Sequence, residues 1–210
     1  MISDRTSQTG IYPRLDIIAG GPLLVHFFLL LQQGVGIRRR IGCSVEAFLR
    51  QEMGTSPETI EKIQSIMLDG KPVDDMKSSL VHNGSTLALS AAMPGLVGAT
   101  LRRGGAYASF RSGITYHETD KPRTTGEGWV RVKIFNLLMA EMGPSLFRAG
   151  VLVKTSNLIG LLKERVDELR QGCSAVLDDK PVDLGLLEGN PVLTGRDEVF
   201  LRLAPAPARP

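Results

Sequence analysis

The segment Leu68-Asp69-Gly70-Lys71-Pro72-Val73-Asp74 returns as Leu177-Asp178-Asp179-Lys180-Pro181-Val182-Asp183, with six of the seven positions identical. A match of that quality within one chain marks an internal repeat, and a repeat constrains architecture before any residue is interpreted singly. Whatever these seven residues build is built twice. In each copy an apolar run leads in, Ile66-Met67-Leu68 and Ala175-Val176-Leu177, which reads as a strand entering a turn. Asp69, Lys71, Pro72 and Asp74, with Asp178, Lys180, Pro181 and Asp183, are therefore assigned a structural turn; Asp74-Asp75 could suggest paired carboxylates, but the second copy has Asp183-Leu184 there, and a turn role capping backbone amides accounts for the pair more simply.

The repeat extends in both directions. Upstream, Leu24–Leu30 aligns with Val130–Asn136. Val130, Val132 and Ile134 alternate with Arg131 and Lys133, the pattern of a half-buried strand. The first copy is apolar on both faces, so the same strand is expected there buried on both sides. A second strand follows at Gly36–Ile41 and at Gly150–Lys154. A helix comes next: Ser44 is the expected N-cap for Val45–Met53, with Gly54 as its stop, and Thr155 or Ser156 for Leu158–Val166. A last strand closes each unit at Gly84–Ser90 and Asp197–Leu203.

Strand, strand, helix, strand, strand has few compact solutions, the simplest being one mixed sheet with its apolar face covered by a single helix. The sequence thus predicts an α+β chain of two β-grasp (ubiquitin-like) domains, each a mixed sheet covered by one main helix, joined by a long linker. The expected boundaries are an arm over 1–16, domains over 17–99 and 129–205, a linker over 100–128 and a tail over 206–210.

In detail the second copy resembles the family of the molybdopterin synthase small subunit and the thiazole-pathway sulfur carrier, relatives of ubiquitin. The resemblance rests on Val130–Asn136, the Leu/Glu-rich turn Leu137–Gly143, Asp179-Lys180-Pro181-Val182 and the last strand Gly195–Leu201; the first copy fits with Gly70–Asp75 and Asn83–Leu89. That family works through a flexible tail ending in Gly-Gly, whose carboxylate an activating enzyme adenylates; the tail then carries sulfur as a thiocarboxylate or is joined to a lysine. Glycines suit that tail because backbone without side chains threads a narrow channel. The second copy departs from this pattern, running out in Ala204-Pro205-Ala206-Pro207-Ala208-Arg209-Pro210, which is stiff and bulky. In the first copy Met93–Gly98 is similar to the family's Pro-rich approach to the tail, and Leu101-Arg102-Arg103-Gly104-Gly105 resembles the ubiquitin ending. Arg102, Arg103, Gly104 and Gly105 are thus a candidate modifier tail, for which a free carboxylate requires cleavage at Gly105–Ala106. The plainer alternative for the same residues is a solvated edge running into a turn.

Between the copies, Tyr107, Phe110, Tyr116 and Trp129 are interleaved with Arg102, Arg103, Arg111, Lys121 and Arg123. Such a stretch can stack bases and contact phosphates, so Arg102, Arg103, Tyr107, Phe110, Arg111 and Tyr116 are candidate contacts for single-stranded nucleic acid or a protein partner. The preferred alternative is a linker whose aromatics pin it onto one domain. With 25 Lys+Arg against 22 Asp+Glu, the net charge of +3 is below that of a dedicated nucleic-acid binder.

A search for self-contained chemistry finds little. His26, His82 and His117 lie apart with no metal-ligand spacing, and no phosphate loop or nucleophile elbow is present, so neither enzyme activity, a metal nor a cofactor is expected. Cys43 and Cys173 belong to different copies and are expected as free thiols, which fits a reducing cytoplasm. Ile17–Leu31 is the most apolar stretch, but Gly20, Gly21, Pro22 and His26 interrupt it and it is too short to span a bilayer, so no membrane role is expected. The leading expectation is a non-catalytic interaction or scaffold protein that binds a protein partner, an adenylating or other metabolic enzyme; a processed sulfur carrier or modifier and a weak nucleic-acid binder are the alternatives.

Overall fold

The computed structural model describes residues 12–107, 111, 113–118 and 124–206. Phe110, Lys121, Arg123 and residues 207–210 of the expected tail lie outside them, as does most of the expected arm. In chain order the first elements are β1 (Arg14–Ala19), a 3-10 stretch over Gly21–Phe27 that runs into α1 (Phe28–Gln33), and β2 (Val35–Ile41). Then come β3 (Cys43–Ser44), α2 (Val45–Ala47) passing into a π turn over Phe48–Glu52, α3 (Pro57–Lys62), β4 (Ser65–Leu68), β5 (Lys71–Pro72), β6 (Leu80–Val81), β7 (Thr86–Ser90) and α4 (Gly95–Leu101). The rest is β8 (Gly126–Phe135), α5 (Leu138–Ala149), β9 (Val151–Lys154), α6 (Thr155–Glu164), α7 (Val166–Gly172), β10 (Cys173–Leu177), β11 (Lys180–Val182) and β12 (Glu198–Pro205). The chain is α+β with mixed sheets.

The backbone forms two compact units, one of Met1–Val35 with Pro144–Pro210, the other of Gly36–Gly143. They differ from the boundaries 17–99 and 129–205 drawn from the repeat, because each unit takes its elements from both copies. In the first unit the strand order is β11-β10-β1-β12-β9. Here β1, from the start of the chain, lies between two strands of the second copy, antiparallel to β10 and parallel to β12. In the second unit the order is β2-β8-β7-β4-β5, and β8, from the second copy, runs parallel to β7 of the first.

Local chemistry explains most elements. In β1, Leu15, Ile17 and Ala19 are buried while Arg14, Asp16 and Ile18 face outward, a strict two-residue period. Asp16 lies opposite Arg202 in the β1–β12 register and accepts from its Nε at 2.7 Å. In β8 the alternation gives Val130, Val132 and Ile134 to the core. Ser44 does cap α2, accepting from the Ala47 N–H at 3.2 Å, and Gly54 follows the π turn with a φ of +65°.

Four expectations are corrected. Leu24–Leu30 is helical and not a doubly buried strand: Phe27, Leu30 and Leu31 are buried, whereas Val25 and Leu29 are 54% and 42% exposed. An apolar run of this length fits a buried strand and a helix equally on periodicity, and Gly20-Gly21-Pro22 tips it to a helix start, with proline supplying a preset φ and no orphan N–H. Its counterpart in the second copy is therefore not Val130–Asn136, which is mostly β8, but Leu137–Gly143, which is likewise mostly α5 and not a turn. Gly34 (φ +104°) and Gly150 (φ +90°) end the two helices and open β2 and β9, so they are the equivalent glycines of the repeat. The helix after β9 starts at Thr155 with Lys154 before it and no side-chain cap, and it breaks at Arg165 into α6 and α7. Each unit therefore carries more than one helix, where a lone one was expected.

Candidate functional site

The repeated segment forms the same hairpin in both units. Leu68 pairs with Lys71 across β4–β5, and Leu177 with Lys180 across β10–β11. The two loop residues all have positive φ: Asp69 +51° and Gly70 +79°, Asp178 +44° and Asp179 +64°. That is the mirror-image turn whose twist suits a tight hairpin. Asp69 accepts from the Thr86 N–H at 2.7 Å, and Asp178 from the Arg14 N–H at 2.8 Å, so each carboxylate ties its loop to a neighbouring strand. Lys-Pro then sits on the outermost strand of each unit's order, β5 or β11. Lysine and proline there discourage an approaching strand, because one brings charge and the other lacks a donor.

The final aspartate of each copy meets an arginine, by different routes. Asp183 caps the Gly185 N–H at 2.8 Å and pairs with Arg170 of α7; these bonds hold its carboxyl below the usual range. Asp74 instead pairs with Arg111, at 2.6 and 3.0 Å to its two oxygens. Arg111 also donates to the carbonyls of Thr100 (2.5 Å) and Arg102 (3.3 Å). It is 5% exposed, so its charge is buried and its donors are engaged. Next to it, Asp75 accepts from the Lys77 N–H at 2.8 Å, and this and the Ser78 contacts lower its carboxyl.

Arg111 opens a strap continuing through Gly113–Glu118. The Tyr116 N–H donates to the Pro72 carbonyl at 2.7 Å, on β5. Glu118 accepts from the Leu80 N–H (2.9 Å) and the Tyr116 hydroxyl (3.3 Å), and pairs with His82 Nε2 at 2.9 Å. Burial opposes charge on Glu118, but the His82, Leu80 and Tyr116 bonds outweigh it and lower its carboxyl. Burial, then the Glu118 charge, pushes the Tyr116 phenol up to about 12. His82 is thus held in a polar cluster.

An open groove of about 540 Å³ lies beside this corner. Asp74, Asp75, Met76 and Lys77 line it together with Glu46, Arg103 and Gly104. Arg103 donates its own N–H to the Gln64 carbonyl at 2.7 Å and lays its guanidinium on the Met76 sulfur. Gly104 (φ +61°) and Gly105 form a turn in which the Gly105 N–H donates to the Arg102 carbonyl at 3.1 Å. Arg102 and Gly104 are exposed and Arg103 and Gly105 half-buried, while Tyr107 is 46% exposed. The basic-aromatic residues are therefore split: Arg102 and Tyr107 face solvent, whereas Arg111 and Tyr116 are consumed in holding the strap. Sequence reasoning missed Glu118 and His82, which lie 36 residues apart with no motif joining them.

Before the groove, α4 carries an exposed apolar face. Leu96 is 73% exposed, Val97 64% and Met93, just ahead of the helix, 37%. Its underside is fixed, since a Cβ at Gly98 would overlap the Met93 backbone. Asn136 (φ +59°) donates to Ser90 Oγ at 3.0 Å and to the Ala92 carbonyl, which anchors the chain entering α4.

The remaining polar groups are dispersed. His26 pairs with Glu168 at 3.3 Å, on the 3-10 stretch rather than a strand. Cys43 and Cys173 are free and half-buried, and burial raises both thiols, which disfavours the thiolate needed for reactivity. Among the described residues no group of His, Cys, Asp and Glu could hold a metal ion, and no helix is long and apolar enough to cross a membrane. No family model, curated protein or solved structure matches this chain.

Proposed function

We propose that this chain is a non-catalytic interaction or scaffold protein whose two units are β-grasp variants. The strand order of the second unit supports the fold reading, because a central parallel pair, β7–β8, is flanked by antiparallel β4 in a mixed sheet. The observation that carries the functional reading is the solvent-facing apolar side of α4. Leu96 and Val97 stand exposed on α4 and Met93 is exposed just ahead of it, while Gly98 packs on the Met93 backbone and Asn136 holds the lead-in, so the helix that presents them is fixed. Exposed apolar side chains on a fixed helix, outside the groove, suit a protein surface better than a small substrate. The partner class is a globular protein, an adenylating or other metabolic enzyme.

The test is capture from extract of the native cells, with and without ATP, using the wild type and the double variant Leu96→Asp, Val97→Asp. The wild type is expected to retain a partner that the variant loses, while circular dichroism of the two stays alike. Equal capture by both would remove α4 as the contact.

A further inference from the structure

The strap that seals the Asp74 corner is attached by directional polar contacts and buries little apolar surface; its one aliphatic side chain among the described residues, Ile114, is 58% exposed. Three anchors hold it. Arg111 reaches Asp74 and the Thr100 and Arg102 carbonyls, the Tyr116 N–H reaches Pro72, and Glu118 reaches Leu80 and His82. The spacing is a cation, a backbone donor five residues on and a carboxylate seven residues on. Each anchor meets a group of opposite kind on the second unit, by charge and by main-chain pairing, the contacts that peptide recognition uses.

The duplicated corner gives a reference for what the fold itself needs. In the first unit Asp183 takes Arg170, 13 residues away on the adjoining α7, and among the described residues no backbone donor reaches Pro181. A hairpin of this sequence therefore folds without any strap. The second unit draws its arginine from 37 residues away, on a segment between elements. We infer that the Asp74 corner, with the Pro72 carbonyl, the Leu80 N–H and His82, is a peptide-docking site that the chain's own strap occupies, and that its partner is a peptide segment with the same arginine, backbone donor and carboxylate spacing. This rests on the reading of the chain as an interaction protein; it uses the Thr100 and Arg102 carbonyls at the end of α4 but not the exposed Leu96 and Val97 side chains.

The probe is a fluorescently labelled synthetic peptide of residues 111–118, titrated onto the full chain by anisotropy. The wild type, its site filled, is expected to bind weakly. Arg111→Ala, which empties the main anchor, is expected to bind the peptide about tenfold or more tightly, equivalent to roughly 1.4 kcal/mol. A peptide with its arginine replaced by alanine is expected to lose that gain. Glu118→Gln, which keeps the Asp74–Arg111 pair, gives the same comparison with a smaller gain if Arg111→Ala fails to fold. Binding no tighter to a folded variant than to the wild type, or equal binding of the alanine peptide, overturns the inference. Leu96→Asp is expected to leave peptide binding unchanged, so failure here and failure of the α4 contact are distinguishable.

Discussion

Asp179 stands where the first copy has Gly70, the single difference in the repeated heptapeptide, and it sits at a φ of +64°. A side chain in that region is strained, while glycine enters it freely. Asp179→Gly is expected to stabilise the first unit by about 0.5–1 kcal/mol, and Gly70→Asp to cost the second unit a similar amount; urea midpoints of the two variants check both signs. A second residue effect concerns acid. Glu118 has its folded value lowered relative to the unfolded chain, so its contribution is present above the unfolded value near 4.3 and is lost as pH falls through the folded one. Amide exchange at Leu80 and Tyr116 is expected to accelerate on acidification through that window, and Glu118→Gln is expected to abolish the step. The Tyr116 phenol, pushed up to about 12, is expected to appear as a late step in an alkaline absorbance titration, and Tyr116→Phe is expected to remove that step.

At the scale of elements, local signals carried different weights. The strands around the repeated hairpin were legible because Lys-Pro and Asp-Gly or Asp-Asp are turn chemistry between apolar runs, and the pairs Leu68–Lys71 and Leu177–Lys180 follow directly. The alternation of Val130, Val132 and Ile134 was also sufficient for β8. Leu24–Leu30 was not legible, because a continuous apolar run carries no period, and reading it as a strand concealed β1, whose own Leu15/Ile17 alternation lay just upstream. The helix-ending glycines supply the missing landmark. A Cβ at Gly150 would overlap the Phe200 ring of β12, and the φ of +90° disfavours any side chain. Gly150→Ala is therefore expected to cost about 2–3 kcal/mol, from overpacking together with backbone strain. Thermal unfolding measures it, and a loss below about 0.5 kcal/mol would refute the close packing of α5's end on β12.

For the whole molecule the consequence of shared strands is physical. β1 lies between β10 and β12, and β8 pairs with β7, so each unit loses an interior strand if the other half of the chain is removed. Residues 124–206 alone are expected to stay unfolded, and a chain cut at Gly105–Ala106 is expected to keep its pieces together by gel filtration until denaturant is added. Separation under native conditions would contradict the exchanged strands. Intact-mass measurement of the native protein bears on the modifier alternative: a single full-length species is the expected result, since Gly104-Gly105 forms a hydrogen-bonded turn.

The candidate site divides along the same line. Asp74 and Pro72 were legible as turn residues and Arg103 as a polar edge, but the pairing of Asp74 with Arg111 and of His82 with Glu118 was not, since no periodicity relates residues 36 or 37 apart that meet only through the fold. By itself the sequence determined what is local: the duplicated hairpin, its left-handed loop residues, the alternation of the strands and the Ser44 cap, all set by backbone sterics and near-neighbour hydrogen bonds. The tertiary structure alone decided which strands share a sheet and which arginine meets which aspartate. Strand pairing is specified by exposed backbone donors and acceptors, which every strand carries alike, so the choice between a strand's own copy and the other is made only when whole apolar faces are buried together.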